Sequence, residues 1–156
     1  MSDWPEMTRE LSPRLRDLRQ AMPEVMKAFA AISQGALAPQ ALDTKTKELI
    51  ALAIAVALRC DDCIAFHVKA ALQQGASRAE VTEALGMAIY MGAGPSVMYA
   101  SHALDAFEQF GDAAKADGRA ADRQASTRRK PRSSARSTRA RSGPRFKISP
   151  VAAITL

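Results

Sequence analysis

Two cysteines stand three positions apart, Cys60 and Cys63, and His67 follows the second by four. On one helix, residues four apart share a face, so the Cys63 thiol and the His67 imidazole can meet. An imidazole there can take the thiol proton and hold the thiolate as an ion pair. The start of a helix at Cys63 adds positive dipole, and both effects lower a thiol pKa from its free value of about 8.5. Cys60 lies one turn earlier, within disulfide reach of Cys63. One sulfur that attacks and one that resolves are the minimum equipment of a thiol peroxidase or a disulfide reductase.

The elements that must position these groups read as helices. Ala, Leu and Met carry most of the apolar content, a mixture that loses little rotamer freedom in a helix, and runs of alternating β-branched residues are missing. Asp3 precedes Trp4-Pro5 as a helix cap. Leu11, Leu15, Leu18 and Met22 follow at helical spacing, with Pro13 and Pro23 expected to cut this stretch into short helices. A helix from about Pro23 to Ser33 would turn Val25, Met26, Phe29 and Ile32 inward, before a loop over 34–40. Asp43 is placed to cap a helix from about Thr44 to Arg59, and another runs from about Asp62 to Gly75, a residue suited to the left-handed position after a helix. Ser77-Arg78-Ala79-Glu80 is a capping box opening a helix through Met91. Gly92-Ala93-Gly94-Pro95 breaks it, Ser96 can cap the next, and Phe110-Gly111 is expected to end that one. The methionines at 7, 22, 26, 87, 91 and 98 read as core fillers, and His102 and Tyr90 as packing residues. The fold class expected is all-α.

The formal charge of +6 joins two unlike segments. Residues 1–118 carry 11 Lys and Arg against 15 Asp and Glu, a net of −4, whereas 119–156 carry 11 against Asp122 alone, a net of +10. The expected organisation is one helical domain over 1–118 and an Arg/Ser/Ala-rich disordered tail over 119–156, too poor in apolar residues to offset chain entropy. Nucleic acid is conceivable as a partner only through that tail. Acidic residues at Asp3, Glu6 and Glu10 argue against a secretory signal, and the ten-residue apolar run Leu49–Leu58 falls well short of the roughly 20 needed to cross a bilayer, which points to a cytoplasmic protein. A closely spaced cysteine pair in that compartment indicates redox or metal chemistry.

The pattern Glu48, eleven residues, Cys60, two residues, Cys63, three residues, His67 resembles the signature of the alkylhydroperoxidase D-like branch of the carboxymuconolactone decarboxylase family. The likeness spans about Trp4 to Phe110 and includes Lys47-Glu48-Leu49 and Tyr90-Met91-Gly92-Ala93-Gly94-Pro95-Ser96. The resemblance implies an all-α fold, a homotrimer or homohexamer, and a redox-active dithiol without a bound cofactor. It also implies peroxides as oxidants, a protein dithiol or lipoyl-type carrier as electron donor, and a proton relay from Glu48 through His67 to the Cys60–Cys63 pair. One position departs from it: the best-known members have histidine just before the second cysteine, where this chain has Asp62. An aspartate is no proton donor at neutral pH, and Asp61 and Asp62 set negative charge beside a would-be thiolate.

Two other functions compete. A lyase of the decarboxylase kind has no need of Cys-x-x-Cys. A zinc- or redox-sensing module would use Cys60, Cys63 and His67 with His102 or Glu48 as metal ligands, although structural zinc sites usually bring a second closely spaced ligand pair. On a straight helix Glu48 lies about 18 Å from Cys60, so contact with the site needs a bend near Leu58, a crossing angle or a neighbouring subunit.

Overall fold

The computed structural model describes residues 2–128, and all of its regular elements are helices: α1 (Trp4–Ala21), α2 (Pro23–Leu37), α3 (Thr44–Ala57), α4 (Asp61–Gln73) and α5 (Arg78–Arg128). The start signals act as the sequence predicts. Asp3 accepts from the Glu6 N–H at 2.8 Å, Asp43 from the Thr46 N–H at 2.7 Å, and Glu80 closes its box with Ser77, accepting from the Ser77 N–H at 2.7 Å. Gly75 ends α4 at φ 79°, with Ala76 N–H bonded to Ala71 C=O and Gly75 N–H to Leu72 C=O. That pair of bonds is a Schellman cap, which needs the left-handed residue glycine supplies.

Several expectations are corrected. Pro13 does not end α1: the helix runs through it to Ala21. The carbonyl that Pro13 leaves without an N–H belongs to exposed Arg9, so water can satisfy it. The second helix passes Gly35 and reaches Leu37, and none of its residues is buried. Val25, Phe29 and Ile32, expected inward, are exposed on this chain, Val25 by 63% and Ile32 by 68%. Met22, Met87, Met91 and Met98 are likewise exposed, as is Tyr90. Leu49–Leu58 is a core helix on one face only: Leu52, Ala55 and Val56 are buried, while Ile50, Ile54 and Leu58 are not.

The expected break within 92–95 is real and sits at Ala93, whose φ of 52° and ψ of −149° kink α5. Ser96 does not cap the arm beyond it; the side chain is 1% exposed and its Oγ has no hydrogen-bond partner among the described residues. Phe110-Gly111 does not end the helix either. Internal glycine costs only about 1 kcal/mol relative to alanine, and the sequence beyond is rich in Ala, so α5 continues to Arg128 and 119–128 are helical. The rest of the expected disordered tail, 129–156, lies outside the described residues.

The core gathers the inward stripes of α3, α4 and α5: Leu52 and Val56, Ile64, Ala65 and Val68, Val81 and Leu85, then Ala103, Ala106, Phe107 and Phe110. Trp4 from α1 closes one side, its indole N–H on Asp105 at 2.8 Å. The many alanines let the helices approach closely, and α3 is held against both α4 and α5. Among the described residues no helix is long and apolar enough to cross a membrane.

Candidate functional site

Between α3 and α4 the chain reverses within three residues. Cys60 N–H bonds Ala55 C=O and Arg59 N–H bonds Val56 C=O, each at 3.1 Å, so α3 also ends in a Schellman cap. Here the left-handed position is held by Arg59 at φ 59°, a conformation that costs a non-glycine residue about 1 kcal/mol or more. The turn delivers Cys60, extended at φ −106° and ψ 95°, directly as the N-cap of α4.

Cys60 and Cys63 are joined as a disulfide with their Cα atoms 5.2 Å apart. The Cys60 sulfur takes the part a serine or aspartate oxygen plays in an ordinary cap, accepting from the Cys63 N–H at 3.2 Å. Positive helix dipole and an aimed N–H therefore both favour negative charge on this sulfur. Cys63 lies one turn in, partly buried and packed against the core that the next two residues, Ile64 and Ala65, enter fully. Asp61 and Asp62 complete the first turn.

His67 sits one turn beyond Cys63, and its Nδ1–H donates to Glu48 Oε2 at 2.8 Å. A carboxylate only accepts, which fixes the proton on Nδ1 and leaves the Nε2 lone pair available when the ring is neutral. Among the described residues Nε2 has no hydrogen-bond partner. Glu48 is 2% exposed, whereas the His67 side chain keeps 25% of its surface. The distance that separates Glu48 from Cys60 along α3 is thus no obstacle. The reversal of the chain just after Leu58 brings the histidine of the returning helix to the glutamate within one chain, so no second subunit is needed for that contact. With Cys63 in the disulfide it has no thiol proton for His67 to take, and among the described residues the polar contact on sulfur is that of the Cys63 N–H to Cys60.

His102, which the sequence offers only as a packing residue or a zinc ligand, reaches the motif in another way. His102, on α5, bonds Asp61 with Nδ1 3.1 Å from Oδ1. Its ring is in tilted contact with Tyr99, centroids 5.1 Å apart, and with Trp4, at 6.0 Å. The only cue in the sequence was the helical spacing of Tyr99 and His102, since no periodicity links positions 61 and 102. With the sulfurs bonded to each other and both histidines turned to carboxylates, no group of three or more His, Cys, Asp or Glu among the described residues is arranged to hold a metal ion. His102, Glu48 and the cysteines do not converge as ligands.

Comparisons with known proteins agree on one family. The model of the carboxymuconolactone decarboxylase family matches residues 23–106. An uncharacterized protein of Cupriavidus necator is 41% identical over 109 residues, which are 65% of this chain and 96% of that protein. The uncharacterized protein 4 of the cox locus in Paracoccus denitrificans is 37% identical over 63% of this chain and 88% of its own length. The crystal structure of a carboxymuconolactone decarboxylase family protein from Legionella pneumophila superposes with a TM-score of 0.68 at 49% identity, over 70% of this chain and 98% of that one. A family member from Thermotoga maritima, for which involvement in an antioxidative response has been suggested, has a TM-score of 0.57 at 31% identity, over 67% of this chain and 95% of its own.

Proposed function

The chain belongs to the carboxymuconolactone decarboxylase family, and on that premise we propose that it is a thiol-dependent peroxidase or disulfide oxidoreductase working through Cys60 and Cys63. The observation that carries this reading is the buried Glu48 carboxylate bonded to His67 Nδ1 at 2.8 Å, one helical turn from a cysteine pair at disulfide distance. A decarboxylase-type lyase, the other activity the family name fits, has no use for two sulfurs so placed.

In the proposed cycle His67 Nε2 takes the thiol proton from Cys63, and Glu48 steadies the imidazolium that results. The Cys63 thiolate attacks the terminal oxygen of a peroxide and the O–O bond breaks. The departing alkoxide takes the proton from His67, giving an alcohol and a Cys63 sulfenic acid. The Cys60 thiol attacks that sulfur, the Cys60–Cys63 bond forms and water leaves. A protein dithiol or lipoyl-type carrier then attacks the Cys63 sulfur and expels Cys60, which the Cys63 N–H stabilises as the leaving thiolate; the carrier's second thiol displaces Cys63 from the mixed disulfide, so that two electrons and two protons are returned. The same geometry serves disulfide exchange without a peroxide.

The test is peroxide consumption by the full chain with several dithiol donors, beside Cys60→Ser and Cys63→Ser. Cys63→Ser should abolish peroxide reduction, and Cys60→Ser should accumulate a trappable sulfenic acid on Cys63. Full activity in both variants, or no reversible bond between the two sulfurs, overturns the reading.

A further inference from the structure

We infer that His102 is a second histidine of the dithiol site, a positioning residue that acts through Asp61 to offset the negative charge beside the cysteines; this rests on the thiol chemistry proposed above. The motif places Asp61 directly between the two sulfurs in sequence, as the first residue of α4 after the Cys60 cap. A carboxylate there opposes the helix dipole and disfavours a thiolate on either cysteine. The structure answers that charge from α5, where His102 Nδ1–H donates to Asp61 Oδ1 at 3.1 Å.

The ring has two aromatic neighbours. Tyr99, one turn earlier on α5, and Trp4 of α1 both lie tilted against it. Trp4 is itself locked, with its indole N–H on Asp105 at 2.8 Å and its backbone N–H on Gln109 Oε1 at 3.0 Å. The titratable groups around the ring are Asp61 on α4 and Tyr99 and Asp105 on its own helix, while α1 brings only the neutral indole. His102 and Asp61 each keep nearly half of their side-chain surface, so the pair stays open to protons from solvent. An imidazole N–H donated to Asp61 draws its charge away from the sulfurs; without it the charge stands.

The site is thus flanked by two histidine–carboxylate pairs of opposite design. In one, α3 supplies a buried carboxylate to a histidine of the cysteine helix. In the other, α5 supplies a histidine to a carboxylate of the cysteine helix. Asp62 alone stays exposed and makes no bond with another described residue.

The experiment is the pH profile of iodoacetamide alkylation of the reduced full chain, for wild type, H102Q, D61N and D61N/H102Q, with circular dichroism to confirm the fold. Loss of the partner that offsets the Asp61 carboxylate, the residue next to Cys60, predicts that H102Q slows alkylation near pH 6.5 by roughly three- to tenfold. D61N should speed it, because the carboxylate charge beside the cysteines is then gone. D61N/H102Q should return to the wild-type rate or above. A residue that only packs would move none of these profiles. If H102Q fails to fold, D61N carries the test alone at a half-exposed, isosteric position. An H102Q profile equal to wild type, a double variant as slow as H102Q, or an unmoved D61N profile overturns the role of His102. Alkylation needs no peroxide, so absence of peroxidase turnover with these shifts present refutes the peroxidase reading and not this one.

Discussion

Removing His67 should cost far more stability than removing the carboxylate it holds. Glu48 is 2% exposed and has His67 as its side-chain partner, at 2.8 Å. In His67→Ala the carboxylate is left buried with nothing to donate to it, a change that typically costs about 3 kcal/mol or more. In Glu48→Leu the site becomes apolar at similar volume, and His67, still a quarter exposed, can turn its Nδ1–H to water. That variant should lose about 1 kcal/mol or less. The two changes together should be milder than His67→Ala alone, because the stranded charge is gone. The pH dependence has a definite sign. A lone carboxylate in that place folds best with a proton bound, so the folded variant carries more protons than the unfolded chain. Its stability therefore falls as pH rises, by at most about 1.4 kcal/mol per pH unit. Urea denaturation followed by circular dichroism at pH 5 and pH 8 measures both effects. Equal losses in the two single variants, or a pH-independent loss in His67→Ala, would refute the reasoning.

Gly92→Ala should destabilise by about 2 kcal/mol in the same assay, since a Cβ there would stand 2.0 Å from Ser96 Oγ and 3.8 Å from Ala57 Cα. Ser96→Ala should be neutral or stabilising, as it removes a buried hydroxyl without a partner, and it should partly rescue Gly92→Ala. The Glu80 carboxyl is held down to about 2, first by Lys45 and then by Ser77, so the stability it contributes is present above its ordinary range and lost as pH falls towards 2. The difference between wild type and Glu80→Gln in urea should accordingly shrink from pH 5 to pH 2, and at any pH should be reduced by salt. Light scattering at micromolar concentration should find a trimer or hexamer, with Val25→Glu/Ile32→Glu dissociating it, because α2 leaves Val25, Phe29 and Ile32 uncovered on a single chain.

What could be read from the sequence were relations within one helix or one cap. Asp43, Gly75 and the Ser77–Glu80 box act locally, so their residue types announce them. The spacing of Cys60, Cys63 and His67 likewise needs only the pitch of α4. Failures came where the answer depends on what lies across a helix face. The apolar stripe of α2 has the period of a buried helix, but period does not say which surface covers it. Pro13 and Gly111 are helix breakers by propensity, and solvent access to one carbonyl and an alanine-rich continuation outweigh them. Glu48 was singled out by resemblance, and its contact with His67 could not be derived from a chain offset of 19 residues. The pairing of His102 with Asp61 is not legible because the two lie 41 positions apart, and no local pattern spans that gap.

The chemistry proposed follows from how charge is distributed around one helix terminus. Two carboxylates near the sulfurs, Glu48 and Asp61, are each matched by an imidazole. The match differs in kind. Glu48 is buried, so its pairing with His67 is shielded from solvent and salt, and His67 is kept oriented whatever its protonation. Asp61 and His102 are half exposed, so their pairing weakens as the imidazole loses its proton. One pair is therefore fixed and the other adjustable. A site built this way holds His67 in register and, on the role inferred for His102, offsets the charge beside the thiols from a solvent-open pair. Asp62 stands outside both pairs, in the position where the best-known relatives carry histidine. Its uncompensated charge slows thiolate formation without disturbing the Cys60 cap or the Glu48–His67 bond. Exchange with a dithiol, in which the Cys63 N–H stabilises the leaving sulfur of Cys60, withstands that charge better than attack on peroxide does, since attack requires a free Cys63 thiolate at the outset. Disulfide exchange is accordingly the half of the proposed activity that this arrangement favours more strongly.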